Sequence, residues 1–338
     1  MKAVVVETPG HFKVVDRDIP KAEDGKVVIQ VAYASICGSD AIYWAGDLML
    51  GHSLGHEFSG TIYDPGASDF QKGERVCAME INPCGHCPAC RSGRMSICPS
   101  LMKDAPGIST DGGYAQFVAV RQDMVRRIPE GVSFQAAALA EPLAVAWHGV
   151  RRAGIHGRER LLVWGDGPIG AFAALCAKAA GAAYVGLVGK NPGRMGTVRA
   201  LELADQYFDV NDPEYLAQIK AAEPDKFPLI LECTGRKSGV GTALGILRNG
   251  GRLVTLGIHD DVQEVNMLKL LLKEIDIVPS AFFDPEDYDK VLKLLGSGRL
   301  KVDRCVTSVR PLDQAQDALV ELTGTGAKDL KILLDPTL

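Results

Sequence analysis

The sequence has no surplus of positive charge, no long apolar run and no low-complexity tract or internal repeat. Each absence removes a class of function. Its 37 Lys and Arg are outnumbered by 42 Asp and Glu, for a net charge of -5. Such a balance offers no basic face to nucleic acid and no polybasic anchor to a membrane. No stretch approaches the ~20 apolar residues that span a bilayer. The opening MKAVVVETPG reads as the start of a strand, without the apolar centre of a secretory signal. What remains is a chain 46% hydrophobic and 23% charged over 338 residues, ordinary for a soluble protein and long enough for two domains. A cytoplasmic protein that engages neither nucleic acid nor membrane is expected.

Cysteine, by contrast, is plentiful. There are nine, an odd number spread through a large chain, which argues for a reducing compartment and against a disulfide framework. Cys77, Cys176, Cys233 and Cys305 sit in apolar runs and read as core thiols. Four others crowd into NPCGHCPACRSGRMSIC, where Cys84, Cys87 and Cys90 form C-x2-C-x2-C and Cys98 follows. Four thiolates on one loop can close a tetrahedron around zinc and leave no open position, so such an ion is structural. Iron–sulfur clusters also take four thiolates, and zinc is the simpler reading. Turn formers Pro83, Gly85, Pro88 and Gly93 fill the intervals, so the lobe is expected to lack helix or strand of its own. His86 reads as a solvated turn residue.

A catalytic metal would then lie elsewhere. SICGSD puts Cys37 after the strand-like VVIQVAYASI, and SLGHEFSGTI puts His56 and Glu57 before another strand. ALAEPLAVAWHGV carries Glu141 in an apolar, helix-prone segment, where an isolated carboxylate is costly without a partner. Cysteine, histidine and glutamate together make three mixed ligands with a fourth position open to water or an alcohol. Singly, each has a plainer reading: a small buried thiol, a packed histidine, and an acid at the start of a helix.

RERLLVWGDGPIGAFAALCAKAAGAAYVGLVGK supplies context. An apolar strand runs through Gly165-x-Gly167-x-x-Gly170, with Pro168 and Ile169 between, into an Ala-rich helix and a second strand. That unit suits a dinucleotide: the glycines permit a tight turn and let backbone approach the pyrophosphate at the helix N-terminus. FPLILECTG and GRLVTLGI continue the strand–helix alternation of an α/β parallel sheet.

Taken in order, CGSD, GHEFSG, the four-cysteine lobe, DGGYAQFV, AEPLAVAWHG, GDGPIG and AKDLKILL resemble the zinc-dependent medium-chain dehydrogenase/reductase family from end to end. The sorbitol-, L-idonate- and galactitol-phosphate-dehydrogenase-like branch is the most similar. The resemblance implies an α/β chain in which a GroES-like β-rich catalytic domain (1–147 and 290–338, zinc lobe about 80–100) is split by a Rossmann doubly wound domain (148–289), with the active site in the cleft between them. It implies two zinc ions per chain. Cys37, His56 and Glu141 would hold the catalytic one, with Glu57 able to approach it, and Cys84, Cys87, Cys90 and Cys98 the structural one. Ser39 and Asp40 would stand near the metal, Ser39 opening a proton relay. An oligomer, dimer or tetramer, built through the Rossmann domain is expected on the same ground.

The activity so implied is reversible oxidation of a secondary alcohol on a polyol, sugar acid or cyclitol by a nicotinamide cofactor. NAD-specific sites place Asp or Glu about 20 residues past the glycines, at the end of the second strand. That position falls on Gly189 or Lys190, neither a carboxylate. Lys190 and Arg194 suit a 2′-phosphate, so NADP is expected over NAD, although GKNPGR is also plain loop chemistry. Tyr43 and Trp44 match an aromatic pair of the substrate pocket, or else pack the lobe. Phe283 falls where many polyol relatives have an Arg, and the loop between Trp44 and His56 is short. A less polar secondary alcohol is therefore an alternative substrate, and a non-catalytic zinc-binding scaffold the remote one.

Overall fold

The computed structural model describes residues 1–259 and 262–338. The chain divides into two compact units, Met1–Glu141 with Asp284–Leu338, and Pro142–Phe283. These divisions fall a few residues before the bounds expected from the sequence.

The first unit is built on a seven-stranded, largely antiparallel sheet whose hub is the strand Lys26–Ser35. Val27, Val28 and Ile29 along it are fully buried, as β-branched residues between packed faces should be. The hub pairs antiparallel with Glu57–Asp64, with Phe117–Arg121 and, near its end, with Lys331–Asp335. The register decides what meets at that end: Ser35 faces Glu57 on one side and Leu333 on the other. Counting two residues onward brings Cys37 level with Lys331, and His56 precedes Glu57 directly. Three sequence-distant segments thus deliver their polar residues to one rim. The core beneath runs through Val4, Val6, Ile29, Phe58, Ile62, Tyr114 and Leu334.

The second unit is a six-stranded parallel sheet, labelled within this unit β1 (Arg160–Trp164), β2 (Tyr184–Gly189), β3 (Gln206–Asp209), β4 (Phe227–Glu232), β5 (Leu247–Thr255) and β6 (Asp276–Pro279). Its spatial order is 3-2-1-4-5-6, the doubly wound order in which ligands bind where the sequence of strands reverses. Leu161, Leu162 and Val163 of β1 and Ile230 and Leu231 of β4 are fully buried, as strands covered by helices on both faces require. Within the described residues no helix is long and apolar enough to cross a membrane.

Candidate metal and dinucleotide sites

The four-cysteine lobe is more structured than its turn-rich sequence suggests. Pro88–Arg91 forms one helical turn, and Met95–Ile97 a 3-10 turn. The reason is local: the Cys87 sulfur caps the turn by accepting from the Cys90 amide at 3.4 Å, and Pro88 stands at the first helical position, where its missing N–H costs nothing. Further amides reach sulfur, Cys84 N to Cys98 Sγ at 3.3 Å and Cys87 N to Cys84 Sγ at 3.4 Å. All four sulfurs lie within 4.8 Å of one another. Corners of a tetrahedron about a zinc bonded at ~2.3 Å stand about 3.8 Å apart, and the Cys84–Cys90 and Cys87–Cys98 separations are 4.0 and 3.9 Å. The backbone N–H groups of His86 and Cys87 bring the Cys84 thiol down to about 6, whereas burial, then the Cys87 thiol, push Cys90 up to about 12. A cation stabilises all four as thiolates, and the donor set fits zinc.

At the rim of the hub strand, Cys37, His56 and Glu57 bring a thiol, an imidazole and a carboxylate within 4.8 Å of one another. Glu57 is wholly buried and His56 nearly so, while Cys37 and Ser39 are only half-buried, so the cluster has one side toward solvent. His56 Nδ1 stands 3.2 Å from Asp40 Oδ1, off hydrogen-bond alignment. Asp40 itself is fixed by the Tyr114 hydroxyl at 2.5 Å and the Cys37 amide at 2.9 Å, both donating to Oδ2. This is the carboxylate–imidazole arrangement that leaves the far ring nitrogen for a metal. Burial works against a charged imidazole here, yet Asp40 and Cys37 outweigh it and hold His56 well above its ordinary value. Ser39 donates to Cys37 Sγ at 3.2 Å.

Glu141 stands outside the tightest group. It lies in the first turn of the helix Ala140–Ala153 and is hydrogen-bonded with Glu80. Burial first, then Glu80 and Glu57, push it well above the carboxylate range. Glu80 is raised to about 7, chiefly by burial. Three acids thus converge in a dry pocket. Glu57 is answered by Lys331, whose Nζ lies 2.6 Å from Oε2 and donates to the Ile36 carbonyl at 2.9 Å. Even so, Glu57 Oε1 and Glu80 Oε2 are buried with no hydrogen-bond partner among the described residues, each worth about 1–3 kcal/mol of unmet desolvation. Thiol, imidazole and surplus carboxylate fit a divalent cation of zinc's preferences.

Sequence reasoning missed three members of this environment. Glu80 and Lys331 are lone charges in apolar runs, VCAMEI and LKILL, and that was the available signal. Tyr114 sits in DGGYAQFV, a motif noted without a role. Of the residues expected to line a substrate pocket, Tyr43 is half-buried and feels the charges of His56, Asp40 and Cys37. Trp44 packs on Phe12 at a ring-centre distance of 6.3 Å. Phe283 is sealed from solvent.

In the second unit the glycine turn follows β1. Gly165 has φ 139, and a Cβ on Gly170 would stand 2.0 Å from the Gly165 carbonyl oxygen, whereas one on Gly167 would meet nothing within 4 Å. Gly170 therefore serves close packing and Gly167 leaves an open cradle, the fit a pyrophosphate requires at the start of the helix Pro168–Ala180. Gly189 ends β2, Lys190 follows exposed, and Arg194 lies in the first turn of the helix Pro192–Ala200, capped by the Asn191 side chain.

Both units have counterparts in known proteins. Residues 23–130 match the model of the alcohol dehydrogenase GroES-like domain, and residues 168–297 that of the zinc-binding dehydrogenases. The sorbitol dehydrogenase of Bacillus subtilis (strain 168) is 30% identical over 346 residues, covering 99% of this chain and 97% of that enzyme. The L-galactonate-5-dehydrogenase of Escherichia coli (strain K12) is 31% identical, covering 92% of each. A zinc-binding dehydrogenase from Sinorhizobium meliloti 1021, solved with NADP, superposes with a TM-score of 0.90 at 27% identity over 99% of both chains. The chain belongs to the zinc-dependent medium-chain dehydrogenase/reductase family, in its polyol-dehydrogenase-like branch, and is a nicotinamide-linked alcohol dehydrogenase.

Proposed function

We propose that the protein oxidises a secondary alcohol on a polyol, sugar acid or cyclitol to the ketone, reversibly, with NADP preferred to NAD and two zinc ions per chain. The observation that carries this reading is the buried cluster of Cys37, His56 and Glu57, open on one side, in a chain that also has the dinucleotide turn. The sugar-alcohol and sugar-acid relatives support the substrate class, and the cations Lys190 and Arg194 just past the end of β2 support NADP.

Hydride leaves carbon readily only when the attached oxygen carries negative charge. A zinc ion held at this cluster would supply that acidity, worth about 8–12 kcal/mol if a hydroxyl of pKa near 16 were brought toward ~7 at 1.36 kcal/mol per unit. Cys37, His56 and Glu57 would hold the ion. Asp40 fixes the imidazole, and Glu141, backed by Glu80, offers a second carboxylate beside it, the ligand expected from the sequence. Ser39, half-buried beside Cys37, takes the released proton toward solvent. Tyr43, half-buried and within reach of the charges of His56, Asp40 and Cys37, would line the substrate side of the cluster. Gly165, Gly167 and Gly170 hold the cofactor's pyrophosphate at the N-terminus of the helix Pro168–Ala180.

A dimer or tetramer formed through the Rossmann unit belongs to the same reading. Met267, Leu268, Leu271 and Leu272 of the helix Met267–Lys273, which precedes the sheet-edge strand β6 in the chain, are all more than half exposed. A cytoplasmic setting is supported by nine cysteines that form no disulfide.

A panel of polyols, sugar acids, cyclitols and simple secondary alcohols, followed at the nicotinamide absorbance with each cofactor, tests the whole. Turnover confined to simple alcohols rejects the polyol class, and a preference for NAD beyond about tenfold, 1.4 kcal/mol, rejects NADP.

A further inference from the structure

We propose that Asp166, the variable residue inside the glycine turn, reads the 2′ position of the adenosine ribose and sets the discrimination between NAD and NADP. The proposal rests on the dinucleotide reading of this turn but not on which cofactor the native protein prefers.

In a doubly wound fold the ribose is held by an acid at the end of the second strand. Here that strand ends at Gly189, and no side chain fits there. A Cβ on Gly189 would lie 2.1 Å from Met195 Sδ and 2.7 Å from both Cβ and Oδ2 of Asp166. The space in front of the strand end is thus filled by a carboxylate after all, delivered from the glycine turn instead of from the strand. The acid has changed its point of attachment and kept its place.

Its contacts hold it there. Asp166 Oδ2 accepts from the amides of Lys190 at 2.8 Å and Asn191 at 2.7 Å. On the opposite side, the Asn211 side chain donates to the Lys190 carbonyl at 2.7 Å. The Asn191 side chain accepts from Gly193 N at 2.9 Å and Arg194 N at 3.3 Å. The loop that meets the ribose is therefore pinned from three directions. Among the described contacts both amides go to Oδ2, and an ionised carboxylate has roughly four acceptor sites. Oδ1 is left for the ribose 2′-hydroxyl. A 2′-phosphate brought to the same place meets a fixed negative charge, opposed by the cations of Lys190 and Arg194. Cofactor choice is the balance of these groups, and Asp166 weighs on the side of the free hydroxyl.

Equilibrium binding to the full-length protein tests this without turnover. Titration calorimetry compares ADP, 2′-deoxy-ADP and 2′-phospho-ADP on the native protein and on Asp166→Asn, whose amide oxygen still accepts from Lys190 and Asn191 but carries no charge. A charge-assisted hydrogen bond predicts that the native protein binds ADP at least about fivefold more tightly than 2′-deoxy-ADP. In D166N that gap narrows, and the affinity ratio moves about tenfold or more toward 2′-phospho-ADP. Equal affinity of the native protein for ADP and 2′-deoxy-ADP overturns the proposal, as does an unchanged ratio in a D166N protein with native melting temperature. If D166N does not fold, the native comparison decides alone. Failure of ADP to bind at all removes the dinucleotide reading and this proposal together, whereas the native preference for or against 2′-phospho-ADP bears on the NADP reading only.

Discussion

Lys331 Nζ lies 2.6 Å from Glu57 Oε2, and neither side chain reaches solvent. The pair ties the C-terminal strand to the strand that opens beside His56. Burying both charges is costly, and stranding one is costlier. Lys331→Met should therefore destabilise the protein by about 3–5 kcal/mol when the Cys37 cluster carries no metal, read by urea denaturation. Combining it with Glu57→Gln should recover part of that loss. A double variant no more stable than K331M would show that the two charges do not depend on each other.

Asp40 orients His56 and is itself held by Tyr114. Asp40→Ala should weaken zinc at the Cys37 cluster about 10- to 100-fold, the usual effect of losing a partner behind a ligating histidine. Competition with a chromophoric chelator measures this, and the four-cysteine lobe in the same molecule serves as the internal control. Tyr114→Phe should move in the same direction by less, because the Cys37 amide still donates to Asp40.

The lobe predicts a separable loss. Cys98→Ser should remove one zinc of two and with it the ion that would tie Pro88–Arg91 to Met95–Ile97. Limited proteolysis should then cut near the exposed Gly93–Arg94 turn. Intact zinc stoichiometry in C98S would contradict a tetrathiolate site.

The second and third glycines of the turn should behave differently when replaced by alanine. A Cβ on Gly170 would stand 2.0 Å from the Gly165 carbonyl oxygen, so Gly170→Ala should lower the melting temperature by several degrees, about 1–3 kcal/mol of overpacking. Gly167→Ala meets open space. It should fold normally yet bind either cofactor about tenfold or more weakly, about 1.4 kcal/mol, because the added methyl occupies the pyrophosphate's place.

Much of this was legible in the sequence because local spacing carries local chemistry. C-x2-C-x2-C with a later cysteine is a site within one loop, and a strand, a glycine turn and a helix are neighbours in the chain. The rim cluster was legible only as a resemblance, since what unites Cys37, His56 and Lys331 is strand register, and register is set by pairings between distant segments. For that reason Glu80 and Lys331 passed as lone charges, although each is a buried group that folding could accommodate only beside another. The helical turn in the zinc lobe was missed because its cap is a sulfur, outside the Ser, Thr, Asp and Asn that usually mark a helix start. Gly189 was read as a missing acid. Only the folded chain brings Asp166 to where a side chain at 189 would collide with it.

The account turns on an ion at Cys37, His56 and Glu57 that makes the substrate hydroxyl acidic, and one measurement addresses it most directly. Zinc per chain should be determined by elemental mass spectrometry on the native protein and on Cys37→Ser and His56→Ala, alongside turnover of the alcohol it uses best. The account predicts two zincs in the native protein, one in each variant with the lobe retained, and turnover reduced about a thousandfold or more, some 4 kcal/mol of transition-state stabilisation. Variants that keep both zincs and their turnover would contradict it.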